Sequence, residues 1–121
     1  MEHFGHHTRL LRERYRQANN RYSIRQTALR VGLAPGYLSK IERGHTLPLS
    51  EDTIRRLAAD LGEDFDYLLA LAGKISSDVR EIIVRRPILF TELIRCLNDM
   101  PDHDLASLVS KIRNGDWVEK R

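Results

Sequence analysis

Apolar and small residues in the first third of the chain have the spacing that two short helices joined by a tight turn require. Counted from Ile24, Ala28 comes four residues later, Gly32 eight later, Leu38 fourteen later and Ile41 seventeen later. Where two such helices cross, the first presents a small residue, and Ala28 has that place. The turn needs a residue that adopts a left-handed conformation without a steric penalty, as Gly32 does. The pattern predicts a helical hairpin with Leu38 and Ile41 facing inward.

Helical periodicity predicts further elements on both sides of this hairpin. A basic helix is expected over about residues 5–18, with Leu11 and Tyr15 facing inward. After the hairpin, an apolar stripe repeats at i, i+3, i+4 and i+7 and ends at Gly62. Its members are Ile54, Leu57, Ala58 and Leu61. Asp64 is placed to cap a fifth helix, which closes this part of the chain.

Residues 75–121 continue as three more amphipathic segments. Their apolar positions are Val79, Ile82 and Ile83, then Phe90, Leu93, Ile94 and Leu97, then Leu105, Leu108, Val109 and Ile112, with Trp117 and Val118 as a terminal anchor. One small domain cannot cover so many stripes, so we expect them to pack on each other and on a second subunit. The expected dimer interface comprises Phe90, Leu93, Ile94, Leu97, Leu105, Leu108, Val109, Ile112 and Trp117. The alternative is a monomer of eight helices.

Charge is distributed unevenly along the 121 residues, although the formal net charge is only +3. Residues 1–49 hold nine Lys and Arg against three acids, residues 50–74 hold three against six, and residues 75–121 hold eight of each. The basic surplus therefore coincides with the hairpin. A basic face displaces counterions from duplex phosphates and so supports DNA binding. The alternative is a basic surface that is merely solvated.

Several segments in a fixed order point to a known family. They are the run from Gly32 through GYLSKIERG to Pro48, the helix TIRRLAADLG and the closing DFDYLLALAGK. On these segments, residues 4–74 resemble the xenobiotic-response-element (XRE) and lambda-repressor-like family. The resemblance implies an all-α fold, with a five-helix lambda-repressor-like DNA-binding domain in residues 1–74. A three-helix C-terminal extension, residues 75–121, would follow it.

The resemblance makes the helix over about residues 35–43 the recognition helix, whose amino-terminal part enters the major groove. The candidates for base or groove contact are Pro35, Gly36, Tyr37, Ser39 and Lys40. Pro35 and Gly36 offer no side-chain hydrogen bond, so polar reading falls largely on Lys40. Lysine donates to guanine O6 and N7 or to a phosphate, and both roles stay open for Lys40.

Phosphate contacts are expected at both ends of the hairpin. At its start the candidates are Ser23, Arg25 and Gln26, and after the recognition helix they are Arg43, His45 and Thr46. Exposed N–H groups and the helix dipole favour anions at the first of these places. Relatives often have a polar residue where this chain has Ile24, so Arg25, Gln26 or the amide end of the helix must substitute for it.

The remaining motif residues have structural roles, and they are Arg12, Ala28, Gly32, Leu38, Ile41 and Glu42. In the family, an arginine of the first helix pairs with the glutamate of the ERG segment, which is Glu42 here. Arg12 is the preferred partner. About five extra residues before Ser23 leave Arg16 as the alternative. Such a pair would fix the angle of the recognition helix through a bidentate contact.

Other chemistry finds little support in the sequence. The histidines at positions 3, 6, 7, 45 and 103 form no CxxC or HExxH pattern, so no metal or cofactor is expected. No nucleophile–base constellation suggests an enzyme. Cys96, the one cysteine, is expected to be a buried thiol, with a redox sensor as the alternative. No signal peptide or membrane-length apolar run is found, which favours a cytoplasmic protein without a membrane partner.

These observations favour a sequence-specific transcriptional regulator that binds double-stranded DNA. The expected form is a homodimeric repressor that reads an inverted repeat through the helix around residues 35–43. One alternative is an antitoxin-type or partner-inactivated repressor, in which residues 75–121 bind another protein. A further alternative is an enzyme that only carries such a helical domain, as cyanase does.

Overall fold

The computed structural model describes residues 2–117, and the regular structure in that range is helical. Its α-helices are α1 (Glu2–Arg16), α2 (Ile24–Val31), α3 (Pro35–Glu42), α4 (Glu51–Leu61), α5 (Phe65–Leu71), α6 (Ser77–Arg85), α7 (Pro87–Leu97) and α8 (Asp102–Arg113). A short 3-10 turn, Asn20–Tyr22, lies between α1 and α2. The expected all-α fold, five helices followed by three more, is confirmed.

Local side-chain chemistry explains where the helices of the hairpin and of α5 begin. Ser23 Oγ accepts a hydrogen bond at 3.2 Å from the amide three residues later, and Asp64 Oδ1 accepts the equivalent bond at 2.9 Å. Each bond satisfies an amide that the first helical turn leaves unpaired. Helix α3 has no side-chain cap at Ala34 and starts instead with Pro35, whose missing N–H would be unpaired at that position.

Helix α1 begins at Glu2 rather than near residue 5, ends at Arg16 rather than residue 18, and turns an unexpected face inward. Its buried residues, spaced by three or four after the first two, are Phe4, Gly5, Thr8 and Arg12. Leu11 is partly buried against the core. Tyr15 is exposed and stacks on Tyr22 with ring centroids 4.9 Å apart. The prediction that Tyr15 faces inward was wrong, because the true inner face includes polar residues and leaves no apolar stripe to detect.

Helices α1 and α3 approach each other very closely near the end of α3. A Cβ atom added to Gly5 would lie 1.9 Å from the carbonyl oxygen of Ile41, well inside van der Waals contact. Glycine therefore permits the approach where a side chain would push the helices apart. Gly5 thereby helps to set the position of the carboxyl end of α3.

The first five helices share one apolar core. Its buried residues are Phe4, Val31, Ile41, Leu49, Ile54, Leu57, Ala58, Leu61, Leu68 and Leu69. Leu49 brings the loop between α3 and α4 into this core, and Lys74 Nζ donates to the Leu49 carbonyl oxygen at 2.6 Å. The loop between α3 and α4 is thus attached to the core at the end that precedes α4.

The chain divides into two compact units between Val79 and Arg80. This division falls about five residues after the boundary expected from the sequence. Two contacts associate the start of α6 with the first unit. The Glu51 carboxylate accepts hydrogen bonds from the backbone N and the Oγ of Ser77, both at 2.7 Å, and the neighbouring Ser76 is buried.

Helices α7 and α8 are amphipathic, and none of their residues is buried. The expected interface residues are partly buried at Phe90, Leu97, Leu105 and Leu108, and exposed at Leu93, Ile94, Val109, Ile112 and Trp117. Val118 lies outside the described residues. Ile88, also on α7, is 79% exposed. These helices leave an apolar surface that their own unit does not cover.

The expectation of a buried thiol was wrong, because Cys96 is exposed on α7. It lines a shallow depression together with Ile88, Thr91, Glu92 and Arg95. Consecutive residues of a helix point in different directions, so apolar neighbours in sequence do not bury a side chain.

Candidate nucleic-acid interface

Helices α2 and α3 form the hairpin that the sequence pattern predicted. Gly32 follows α2 in the left-handed conformation, with φ of 80°, and the amide of the next residue donates to the Ala28 carbonyl oxygen at 2.9 Å. This bond closes the end of α2 as in a Schellman motif. Ala28, Leu38 and Ile41 are fully buried. The small side chain of Ala28 therefore lies inside the hairpin, as the helix crossing requires.

A buried ion pair joins α1 to the last residue of α3. Arg12 donates from Nε to Glu42 Oε2 at 2.7 Å and from Nη2 to Glu42 Oε1 at 2.8 Å. The two residues are only 4% and 7% exposed. The hydrogen bonds that Arg12 donates to the Glu42 carboxylate raise the pKa of Arg12, against the opposing effect of burial. Arg16, the alternative partner, is exposed.

The amino-terminal part of α3 presents a small and open surface. Gly36 and Lys40 are exposed, and Pro35 and Ser39 are partly buried. A Cβ atom added to Gly36 would meet nothing within 4 Å. This surface leaves room for a close approach by another molecule. Lys40 supplies its positive charge.

Tyr37 is oriented differently from the other candidate readers. Its ring packs against the apolar core, and its hydroxyl donates a hydrogen bond to the carbonyl oxygen of Pro48. The side chain thus connects α3 with the loop before α4. A role in groove contact would have to use the exposed edge of the ring or an acceptor lone pair of the hydroxyl.

Basic side chains surround the amino end of α2. Arg25 and Gln26 are exposed and line a surface depression together with Arg21, Leu29 and Arg30. The Ser23 hydroxyl is already the acceptor that caps α2. Arg21 had no role in the sequence-based prediction, because it precedes the motif and only the 3-10 turn brings it to this surface.

A second depression lies beside the carboxyl end of α3. Its lining residues are Glu2, His3, His6, Arg9, Glu42, Arg43 and Gly44. Arg43 is exposed, as are His45 and Thr46, which follow it in the loop. The residues predicted to contact phosphates thus lie at both ends of the hairpin. The candidate base-contacting residues of α3 lie between them in the sequence.

Comparison with known families agrees with this geometry. Residues 13–68, which contain α2, α3 and α4, match the family model described as helix-turn-helix. This segment is a helix-turn-helix domain of the XRE type. The match supports a DNA-binding transcription regulator of that type. No curated protein and no solved structure gave a match.

Within the helix-turn-helix domain, a network fixes the extra residues between α1 and α2. Arg30 pairs with Asp60 through contacts of 2.7 and 3.0 Å, and this hydrogen bonding raises the pKa of Arg30. The same guanidinium lies 4.9 Å from the centroid of the Tyr22 ring and donates to the Arg21 carbonyl oxygen. These contacts hold Arg21 beside Arg25.

Other sites receive no support from the part of the chain that the structure describes. Within residues 2–117, no group of three or more His, Cys, Asp and Glu side chains is arranged to hold a metal ion. Over the same range, each helix is too short or too polar to cross a membrane. The helix-turn-helix family is a DNA-binding regulator domain and is not typically enzymatic.

Proposed function

We propose that the protein is a homodimeric transcriptional repressor that reads an inverted repeat in double-stranded DNA through α3. The observation that carries the proposal is the exposed surface of Gly36 and Lys40 on α3, with exposed arginines near both ends of the hairpin. Such an arrangement suits a helix that enters the major groove while basic side chains contact the two flanking backbones.

Sequence reading would depend on few polar groups. Lys40 is the principal candidate for a guanine contact, with Ser39 assisting and with Pro35 and Gly36 allowing close approach. Tyr37 would contribute mainly by holding α3 against the following loop. Because few groups read bases directly, the shape of the DNA would contribute much of the specificity.

Phosphates would be held at both ends of the hairpin. At α2 the contacts are Arg25, Gln26 and the amides near Ser23, and Arg21 from the 3-10 turn is added to them. After α3 they are Arg43, His45 and Thr46. The exposure of these side chains and the positive charge of the arginines support this assignment.

Dimerisation would use the uncovered apolar faces of α7 and α8. A second copy of the chain would bury Leu93, Ile94, Val109 and Ile112, which are otherwise exposed. Two-fold symmetry would then present two recognition helices roughly 34 Å apart, one turn of DNA. An inverted repeat is the target that matches this symmetry.

Selection of bound sequences from random duplexes tests the proposal. We expect enrichment of two inverted half-sites whose centres lie about 10 bp, or a multiple of one turn, apart. Enrichment of a single half-site would contradict the dimeric arrangement. The absence of any enrichment, together with equal affinity for all duplexes, would contradict sequence-specific binding itself.

A second candidate function is an antitoxin-type or partner-inactivated repressor. The exposed apolar faces of α7 and α8 favour it equally, since another protein could cover them instead of a second copy. The oligomeric state of the purified chain separates the two candidates. A chain that stays monomeric at micromolar concentration, and dimerises or binds DNA only with a coexpressed partner, would favour the second candidate.

A further inference from the structure

The depression beside the carboxyl end of α3 brings residues of α1 to the proposed DNA-binding surface. Its lining includes His3, His6 and Arg9 from α1 and Arg43, the C-cap residue that follows α3. We propose that this α1 depression is an additional phosphate-binding site, and that protonation of His3 and His6 strengthens its hold on duplex DNA. The inference rests on the proposed function, because its ligand is the backbone of the same DNA.

The location of the depression favours a backbone phosphate as its ligand. Arg43 lies where α3 ends, and α3 is the helix proposed to enter the groove. His3 and His6 are three residues apart on α1, so their side chains are neighbours on one face of that helix. All three side chains are exposed. A phosphate that contacts Arg43 would therefore lie close to both imidazoles.

The charges around the imidazoles determine how protonation acts. Glu42 faces the depression, but its carboxylate is bound by Arg12. Arg9 donates one of its five N–H groups, that of Nε, to Glu13. The other charged lining residues are Arg9, Arg43 and Glu2, whose net charge is +1. Protonation of both imidazoles would raise this net charge to +3. Protonation thus changes a weakly cationic site into a strongly cationic one.

The other histidines have different surroundings. His7 Nε2 lies 2.6 Å from Glu63 Oε2, and the His7 ring meets the Tyr67 ring edge-on. His45 is exposed in the loop after α3, and His103 lies on α8 in the second unit. Each can be replaced separately, so the contribution of His3 and His6 can be isolated.

The test measures binding of the full chain to a random-sequence duplex at several salt concentrations, near pH 6 and near pH 8, where imidazole gains and loses its proton. For the unmodified chain, we expect the slope of log K against log[salt] to be steeper by about 1 to 2 near pH 6, since each neutralised phosphate adds about 0.9. The double variant His3→Gln/His6→Gln should lose most of this difference.

Two control variants sharpen the result. His103→Gln should keep the full difference in slope between the two pH values, and His45→Gln should keep most of it. The inference is overturned if the double variant retains the difference, if His45→Gln abolishes it, or if the unmodified chain binds with the same slope at both pH values. If the unmodified chain binds no duplex at either pH, the proposed function fails together with the inference.

Discussion

At the scale of single residues, the buried Arg12–Glu42 pair helps to position the exposed face of α3, although neither side chain is part of that face. The carboxylate holds two of the guanidinium N–H groups, and a third donates to the Tyr22 carbonyl oxygen at 3.1 Å. The pair therefore fixes α1, the turn before α2 and the end of α3 against one another. A lone charge left in this place would be poorly solvated.

Replacing Arg12 should therefore destabilise the fold. We expect Arg12→Ala to lower the free energy of unfolding by about 3 kcal/mol, because removal of one partner leaves a buried charge uncompensated. Arg16→Ala, at an exposed position on the same helix, should change it by no more than about 0.5 kcal/mol. Urea denaturation measures both. Similar losses of stability in the two variants would show that the buried pair contributes no more to stability than an exposed arginine does.

Lys40 and Arg43 should differ in what they contribute to DNA binding. Lys40→Ala should reduce discrimination between a selected operator and a scrambled duplex, by about 1 to 3 kcal/mol if it contacts a guanine. Arg43→Ala should weaken both complexes and make the salt slope shallower by about 1. Titration of each variant with both duplexes gives the comparison. Equal losses on every sequence in both variants would exclude base reading by Lys40.

Side-chain hydrogen bonds could be predicted from the sequence where both partners are close together in the chain. The caps at Ser23 and Asp64 depend on an amide three residues away, so spacing was sufficient to find them. The hydroxyl partner of Tyr37 and the placement of Arg21 depend on contacts across the fold, which spacing does not encode. The helical hairpin was therefore predicted in outline, without the contacts that orient its side chains.

At the scale of elements, the meeting of α1 and α3 depends on the absence of a side chain. Gly5 lets the two backbones come together, while Gly36, also in a helix, faces open space. Helical periodicity did not predict the inner face of α1, because that face combines Phe4 and Gly5 with the polar residues Thr8 and Arg12. It succeeded for α4, whose inner face is uniformly apolar.

The two helical glycines should respond in opposite ways to the same substitution. Gly5→Ala should cost about 1 to 3 kcal/mol of stability, because the methyl group would overlap the Ile41 carbonyl oxygen. Gly36→Ala should raise stability by up to about 1 kcal/mol, because alanine is the better helix former and has room. Thermal unfolding of both variants checks this. A stable Gly5→Ala protein would mean that α1 can move away from α3.

The contact between α4 and the start of α6 should make stability depend on acid. Hydrogen bonds from the Ser77 hydroxyl and amide lower the pKa of Glu51. The folded state therefore binds this proton less readily than the unfolded state does. The stabilisation is present above the ordinary carboxyl pKa, about 4.3, and is lost as the pH falls through the lowered pKa of the folded state.

Denaturant unfolding at several acidic pH values measures this loss. Glu51→Gln should be less stable than the unmodified chain at neutral pH and should lose less stability on acidification, because the titrating group is gone. Asp52→Asn, next to it and exposed, serves as the matched control. If Glu51→Gln shows the same acid dependence as the unmodified chain, the Ser77 contact does not contribute to it.

At the scale of the whole molecule, the first unit has a closed core, and the second leaves many of its apolar residues exposed. The sequence predicted this contrast because the number of apolar stripes exceeded what a small domain can cover. It could not identify what covers them, since a second copy and another protein offer the same kind of surface. The proposed dimer is the choice that also provides two recognition helices.

A charge on the exposed face of α7 should disrupt the proposed dimer. Leu93→Asp should lower the sedimenting mass and the operator affinity together. Leu10→Asp on α1 is the matched control, since the two leucines are 50% and 48% exposed. It should leave the mass unchanged. Analytical ultracentrifugation at micromolar concentration measures both, and a monomeric unmodified chain would refute the symmetric model.

The exposure of Cys96 has a practical consequence. It is the one cysteine of the chain, and it lies three residues from Leu93 on the proposed contact face. A maleimide would therefore react at a single natural position, and its rate of reaction should fall as the concentration of the chain rises, because a second copy would cover the thiol. Assembly can be followed in this way without introducing or removing any other thiol.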